Sequence, residues 1–516
     1  MARLRLAWLM GVAVALLGGE PVLVTPGKMP RVGTVEERFQ SFNIEMVEVT
    51  GGRFWAPYKQ GGSAPEVPAA KLSTPGIDPS LFRMRPPLDL TNTRLRKLAA
   101  ALGPSYVRVS GTWANSTWFH DSDDAAPAAP PAGFGGILTR KQWRGVVEFS
   151  RAVGAKIVTS FAISDGVRDT NGLWTPVEAR KIAAYTKSIG GPIAGAEMFN
   201  EPNFAAMGGA PKGYDAAAYG RDFKAFLAFA RTALPDMLVL GPGSVGEAGG
   251  MTSLSSLKSQ DMLEAAGRGV DAFSYHFYGA VSKRCATMEA APTMSPDAAL
   301  SQEWFSRTER DFAFYASLRD RFEPGRPMWL TETAQAACGG DLWAASYIDS
   351  FRYLEQLGRL AKRGVQVVMH NTLSASDYGL IDEATLEPRP NYWAALLWRR
   401  LMGTTVLDAG SASNGNVHLY AHCLRGKPGG VALLAVNADR STSFELSLPT
   451  SAERYTLSAG DLMGNRIALN GQELKLGADD SLPAITGKPV GAGNVDLAPA
   501  SITFLAFPTA GNVACR

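Results

Sequence analysis

The sequence predicts a (β/α)8 TIM barrel with a C-terminal β-sandwich, an α/β fold class, and three observations carry that reading. Strand-like and amphipathic helix-like pieces alternate regularly through residues 38–402. Eight of these pieces read as strands, the number that closes a parallel barrel. From about Gly403 onward the pattern changes to short alternating runs broken by Gly, Asn and Pro.

The strand candidates are Phe42 to Val49, Tyr106 to Ser110, Lys156 to Ile163, Ile193 to Asn200, Met237 to Gly241, Val270 to Tyr275, Pro327 to Thr331 and Val365 to Asn371. Between them Thr91 to Leu102, Pro176 to Ile189, Tyr214 to Leu234, Ser301 to Arg321 and Trp343 to Arg363 repeat apolar residues at three- and four-residue intervals, as helices with one buried face do. Parallel strands deliver their C-terminal ends to one face of the barrel, where the following loops build the site. The Ala/Pro-rich stretch 121–136 reads as a loop on that face, after strand two. Val417 to Leu424, Val431 to Asn437, Ser443 to Leu448 and Ile502 to Phe507 are the strands of the 403–516 sandwich, to which residues 26–40 can add a piece.

A chain of 516 residues that is 46% hydrophobic can bury a large core in two packed units. Its net charge of +3 makes no general case for nucleic acid or a membrane surface. Met1 to Arg5 is short and basic and Leu6 to Gly18 is a small-apolar run, so residues 1–25 read as a signal peptide or N-terminal anchor. Either places the body outside the cytoplasm, secreted or periplasmic. The four cysteines, Cys285, Cys338, Cys423 and Cys515, are even in number and lack zinc-like spacing, so disulfides outrank metal ligands. Neither a metal nor a cofactor is expected.

Two segments aim acidic side chains from strand ends: Glu197-Met-Phe-Asn-Glu-Pro-Asn203 after strand four and Trp329-Leu-Thr-Glu-Thr333 at strand seven. Glycoside hydrolysis needs such a pair, one carboxyl to protonate the leaving oxygen and one to attack the sugar or activate a water. Glu201 and Glu332 are the candidates, with Asn200 placed to hydrogen-bond a sugar hydroxyl. Glu197 reads as a structural acid inside the barrel, and His276 as either a pocket residue or a satisfied core histidine.

Further motifs follow in order: Gly111-Thr112, Gly241-Pro-Gly-Ser-Val245, Tyr275-His-Phe-Tyr278, Tyr378-Gly-Leu-Ile-Asp-Glu383, Pro390-Asn-Tyr-Trp393, His422-Cys423 and Val513-Ala-Cys515. With Asn200-Glu201-Pro202, this series resembles glycoside hydrolase clan A and, within it, family 79, the heparanase and β-glucuronidase family. The resemblance covers most of the chain after Gln40.

It implies a retaining mechanism with Glu201 as acid/base and Glu332 as nucleophile, acting on β-linked glucuronic acid. It implies that the sugar carboxylate is held by the amides of Gly339 and Gly340 and by Tyr378. Glu45, Thr112, Asn200 and Glu247 occupy further sugar-contact positions, and Tyr278 is the residue expected to orient the nucleophile. It also pairs Cys423 with Cys515. Cys285 and Cys338 follow adjacent strands six and seven on one face, which leaves a second bridge there open. The expected enzyme is a monomeric, cofactor-free, retaining β-glucuronidase of heparanase type, taking uronate-containing polysaccharides or glycoconjugates. Two alternatives stand beside it: a clan A β-glycosidase for neutral sugars, and a non-catalytic glycan-binding surface protein. The basic clusters of the mammalian heparanases are missing here, where only Arg140-Lys141 and Arg144 follow the Ala/Pro loop.

Overall fold

A computed structural model of the chain describes residues 21–58, 79–249, 256–285, 292–412 and 415–516. Residues 1–20, which hold most of the expected leader, lie outside that set. Val22–Leu23 already pair with Phe444–Leu448, so the folded body has begun by Val22.

Eight parallel strands close into a barrel: β1 (Gln40–Glu45), β2 (Tyr106–Ser110), β3 (Lys156–Ser160), β4 (Ile193–Glu197), β5 (Leu238–Val245), β6 (Ala272–Tyr278), β7 (Met328–Ala334) and β8 (Val367–His370). Each strand neighbours the next in sequence, and β8 pairs with β1 through Met369 opposite Ser41. Eight helices follow the strands in turn: α1 (Thr93–Ala101), α2 (Arg140–Ala152), α3 (Val177–Ser188), α4 (Ala216–Ala233), α5 (Ser259–Ala266), α6 (Gln302–Phe322), α7 (Tyr347–Lys362) and α8 (Pro390–Leu401). Their starts carry ordinary capping chemistry. Asn92, Thr139, Asp215 and Ser301 each accept from a backbone amide in the first turn, and Pro390 opens α8 where no N–H is needed.

Strand one is shorter than the sequence suggests. It ends at Glu45, because Glu45 and Glu48 form a reciprocal capping box that turns Met46–Thr50 into a short helix. The Ala/Pro-rich segment 121–136 runs between two short parallel strands, Thr117–His120 and Gly136–Thr139.

The C-terminal part contains a nine-stranded sheet that includes Met402–Leu407, Val417–Leu424, Val431–Asn437, Ala452–Ser458 and Ser501–Phe507. Arg31–Thr34 joins its edge. A three-stranded sheet, Val22–Leu23, Phe444–Leu448 and Gly493–Leu497, shares an apolar core with one face of the larger sheet through Leu433, Leu505, Leu446 and Val495. The opposite face of the large sheet, with Leu434, Phe504 and Ile502, belongs to the same core cluster as the barrel helices. Both faces being covered explains why Val431–Asn437 reads as an unbroken apolar run.

Candidate active site

Along each barrel strand, side chains alternate between the helices and the barrel axis. Toward the N-terminal end the axis is filled by an apolar cluster of Tyr106, Val158, Leu240, Ala272, Trp329, Val367 and Met369. Two residues further along three of these strands the axis becomes polar, with Arg108 beyond Tyr106, Ser274 beyond Ala272 and Thr331 beyond Trp329.

Arg108 is the centre of that layer and is only 1% exposed. Its Nη1 donates to Glu332 Oε2 at 2.7 Å, its Nη2 to Glu197 Oε2 at 2.8 Å and to Asn200 Oδ1 at 2.7 Å, and its Nε to Glu197 Oε2 at 3.1 Å. Glu197 also accepts from Ser274 and Thr331, at 2.8 and 2.7 Å. A guanidinium is suited to this place because its fork of N–H groups can serve several fixed acceptors at once.

Glu332 reaches the axis because β7 departs from regular pairing. The register against β6 slips between Tyr275/Leu330 and His276/Glu332, so Thr331 and Glu332 both turn inward. Thr333 then bonds outward to Gln356 of α7. A bulge of this kind re-aims a side chain at a strand end. Tyr278 donates its hydroxyl to Glu332 Oε1 at 2.7 Å, so both oxygens of Glu332 are held.

Glu201 lies in the loop after β4 with left-handed backbone angles, φ 49° and ψ 62°. That conformation is uncommon for a residue bearing Cβ, and the surroundings hold it in place. Asn115 clamps the residue before it, giving Nδ2–H to Asn200 O and taking Asn200 N–H at 2.9 and 2.8 Å. Asn203 does the same to Val245 at the end of β5. Pro202, with its fixed φ, starts the short turn that follows. The Glu201 carboxylate meets His276 Nδ1 at 3.2 Å, and the side chain is 19% exposed against 7% for Glu332.

The two acids sit in different electrostatic surroundings. Burial and the charge of Glu332 raise the Glu201 carboxyl above its ordinary range, against the pull of His276. Burial also acts to raise Glu197, but Arg108 and His276 outweigh it and hold that carboxylate far below the usual value. Burial disfavours the charged form of His276, yet the charge of Glu332 and hydrogen bonds to Glu197 and Glu201 lift it to about 9. Glu45 is raised well above its ordinary value by burial and by Glu332, which carries it toward the protonated form.

Around this pair the structure collects most of the residues singled out from the sequence. Asn371 Nδ2 lies within hydrogen-bond distance of Glu45 Oε1, Tyr278 Oη and Tyr378 Oη, at 3.1, 3.0 and 3.3 Å. Gly111 is required beside Glu45: its φ is +92°, and a Cβ there would stand 1.5 Å from Glu45 Oε2. Thr112 follows it, half-buried, as the first residue of a 3-10 turn. Gly339 and Gly340 lie buried behind Tyr378, and a Cβ on Gly340 would touch Tyr378 Cβ at 3.2 Å.

The Glu247 carboxylate takes the N–H and hydroxyl of Ser259 at the start of α5. Arg108, Asn115 and Asn371 were not singled out from the sequence. Arg108 had a signal: in Tyr106-Val-Arg-Val-Ser110 the valines face the helices, so the arginine must face the axis.

One ligand atom each from Glu201, His276 and Glu332 lies within 4.8 Å of the other two. This set is poorly suited to a cation. Acidic neighbours shift His276 toward its protonated form, and the Arg108 guanidinium, which already pairs with Glu332, stands 3.3 Å from its Nε2. The same grouping brings a carboxylate oxygen of Glu201 within 4.8 Å of one of Glu332.

Comparison with known proteins agrees with this geometry. Hyaluronoglucuronidase of Hirudo nipponia is 26% identical over 474 residues, covering 83% of this chain and 92% of the relative. Heparanase of Bos taurus is 29% identical over 387 residues, 71% of this chain and 67% of the relative. A solved 4-O-alpha-L-rhamnosyl-beta-D-glucuronidase from Fusarium oxysporum shares the fold, with a TM-score of 0.61 at 14% identity over 94% of this chain and 100% of that one. Residues 85–358, more than half of the sequence, match the N-terminal domain of glycosyl hydrolase family 79. The chain therefore belongs to glycoside hydrolase family 79 and is a heparanase- and β-glucuronidase-like glycoside hydrolase.

Proposed function

We propose that this enzyme is a retaining β-glucuronidase of heparanase type, hydrolysing β-linked glucuronic acid in polysaccharides or glycoconjugates. The observation that carries the mechanism is the acid pair itself, with carboxylate oxygens of Glu201 and Glu332 within 4.8 Å. Retaining enzymes place the two groups about 5–5.5 Å apart, and inverting ones leave room for a water between them.

Glu332 attacks the anomeric carbon while Glu201 gives its proton to the departing oxygen, and the sugar is left as an ester on Glu332. Water then attacks that ester as Glu201 takes its proton back. The raised Glu201 carboxyl suits the first task and the paired Glu332 the second. Arg108 and Tyr278 fix the direction of Glu332, and Asn200, held by Asn115 and Arg108, is available to the sugar 2-hydroxyl.

Preference for an acidic sugar follows from the turn after β7. The Gly339 N–H has no partner among the described residues, the Gly340 N–H closes the 338–339 turn, and Tyr378 stands beside them. Buried free donors favour a carboxylate and penalise a neutral group that cannot pair with them. Two disulfides, Cys285–Cys338 and Cys423–Cys515, suit secretion into an oxidising compartment. Comparing kcat/KM for 4-nitrophenyl β-glucuronide and β-glucoside tests the substrate. Equal values contradict the glucuronidase reading.

A further inference from the structure

The turn Cys338–Gly340 presents its backbone in an unusual way. All three residues have positive φ, 63°, 82° and 83°. The carbonyl oxygens of the glycines are doubly satisfied. Gly339 O accepts from Asp377 N–H and Ser376 Oγ at 3.1 and 3.0 Å, and Gly340 O from Ser282 Oγ and Arg284 Nη2 at 2.9 and 3.2 Å. The Gly339 N–H finds no partner among the described residues, and the Gly340 N–H closes the turn. Since C=O and N–H point oppositely across a trans peptide, the clamp on Gly339 O aims Gly340 N–H away from Ser376. Both glycine carbonyls are thereby occupied, which leaves the Gly339 N–H as a donor for an anion.

Glycine adopts this conformation at less cost than cysteine, yet Cys338 holds it directly before the two glycines. Its side chain is tied to Cys285. The strand-six loop that carries Cys285 grips the turn along its length. Ser282 N–H donates to Ala337 O at 3.1 Å and Lys283 N–H to Asp341 Oδ1 at 2.7 Å, an oxygen that is also 3.0 Å from the Ser282 hydroxyl as an alternative acceptor to Gly340 O.

Building on the glucuronidase reading, we propose that the Cys285–Cys338 disulfide is a specificity-determining cross-link, which keeps the Gly339 and Gly340 amides aimed for the sugar carboxylate. Without it Cys338 relaxes to negative φ, the two amides lose their common direction, and the site ceases to distinguish an acidic from a neutral sugar. The acid pair keeps its hydrogen bonds from Arg108 and Tyr278, although Tyr278 packs in the same apolar cluster as the two cysteines.

The test measures kcat/KM for 4-nitrophenyl β-glucuronide and β-glucoside in wild type, in the double variant Cys285→Ser with Cys338→Ser, and in Cys285→Ala with Cys338→Gly. The double-serine variant is expected to lose about tenfold in the glucuronide-to-glucoside ratio through a raised glucuronide KM, with glucoside turnover falling much less. The glycine variant, which accepts positive φ without a cross-link, should recover part of that ratio, and it replaces the serine variant if the latter does not fold. Removing Cys423 and Cys515 instead should leave the ratio as in wild type. If wild type prefers glucuronide but the ratio stays within about twofold in both 285/338 variants, or both substrates fall in parallel, the inference is wrong and the reading beneath it survives. A wild-type ratio of one or less removes both.

Discussion

The floor of the barrel and the layer above it are built by the same strands, yet they follow opposite rules. In the floor, Leu240, Trp329, Val367 and Met369 exclude water and pack. One step up, Arg108, Glu197, Glu332 and His276 are just as buried but survive only as a mutually satisfied ionic set. Burying charge costs several kcal/mol per ion unless partners compensate, so the upper layer is retained for what it does. Fold and chemistry are thus separated along the axis by two residues of strand, which predicts that substitutions in the two layers fail differently.

The largest effect is expected at Glu332. Glu332→Gln should lower turnover by about four orders of magnitude or more, with the folded state retained, because it removes the group that attacks. Next comes a direct contrast between the layers. Leu240→Ala should cost about 2–5 kcal/mol in denaturant unfolding and leave kcat of the folded fraction near wild type. Arg108→Met should destabilise by about 3–5 kcal/mol and also reduce kcat, since Glu197 and Glu332 lose their shared cation. If Leu240→Ala impaired kcat as severely as Arg108→Met, the separation of layers would be wrong.

Much of this contrast is legible in the sequence, and the parts that are not have physical causes. Strand two can be read residue for residue from its alternation, which also marks Arg108 as facing the axis. Strand one is misread at its end, because the Glu45–Glu48 capping box turns an apolar run into a helix. Strand five runs on to Val245, past the Gly-Pro-Gly that suggests its end, through a register shift after Pro242. The same kind of shift turns Glu332 inward, and no local pattern in Trp329 to Thr333 announces it. Glu201 and Glu332 could be named because their motifs are acidic and lie at strand ends. Asn115 and Asn371 escaped because each acts by gripping a residue far away in the chain.

Smaller effects sharpen the account. Glu201→Ala should slow substrates with poor leaving groups by about 10²–10⁴-fold and spare good ones, since only the former need protonation. The charged layer should also titrate. His276 is raised from 6.5 to about 9, so the stability it supplies is complete below pH 6.5 and is lost as pH rises through 9. Glu197, held low, supplies stability above pH 4.5 that is lost only in strong acid. Unfolding free energy should therefore fall by roughly 2–3 kcal/mol between pH 6.5 and 9.5, and His276→Gln should flatten that slope. An unchanged slope in the variant would mean that His276 is neutral in the folded enzyme.

The smallest predicted effect concerns sulfate. Arg140 is paired with Asp121 and Asp123, which leaves only Lys141 and Arg144 as exposed cations beside the Ala/Pro loop. Unsulfated heparosan should be cut at least as fast as highly sulfated heparan at physiological salt, because each sulfate requires a nearby cation to offset its desolvation. Faster cleavage of the sulfated chain would locate a basic surface that this account lacks.

The central claim is double displacement through Glu332 with Glu201 as acid and base. Proton NMR of the first sugar released from 4-nitrophenyl β-glucuronide, recorded before mutarotation, tests it most directly. The β-anomer of glucuronic acid is the expected first product. An α-anomer as first product would contradict it, requiring a water between the two carboxylates in place of an ester on Glu332.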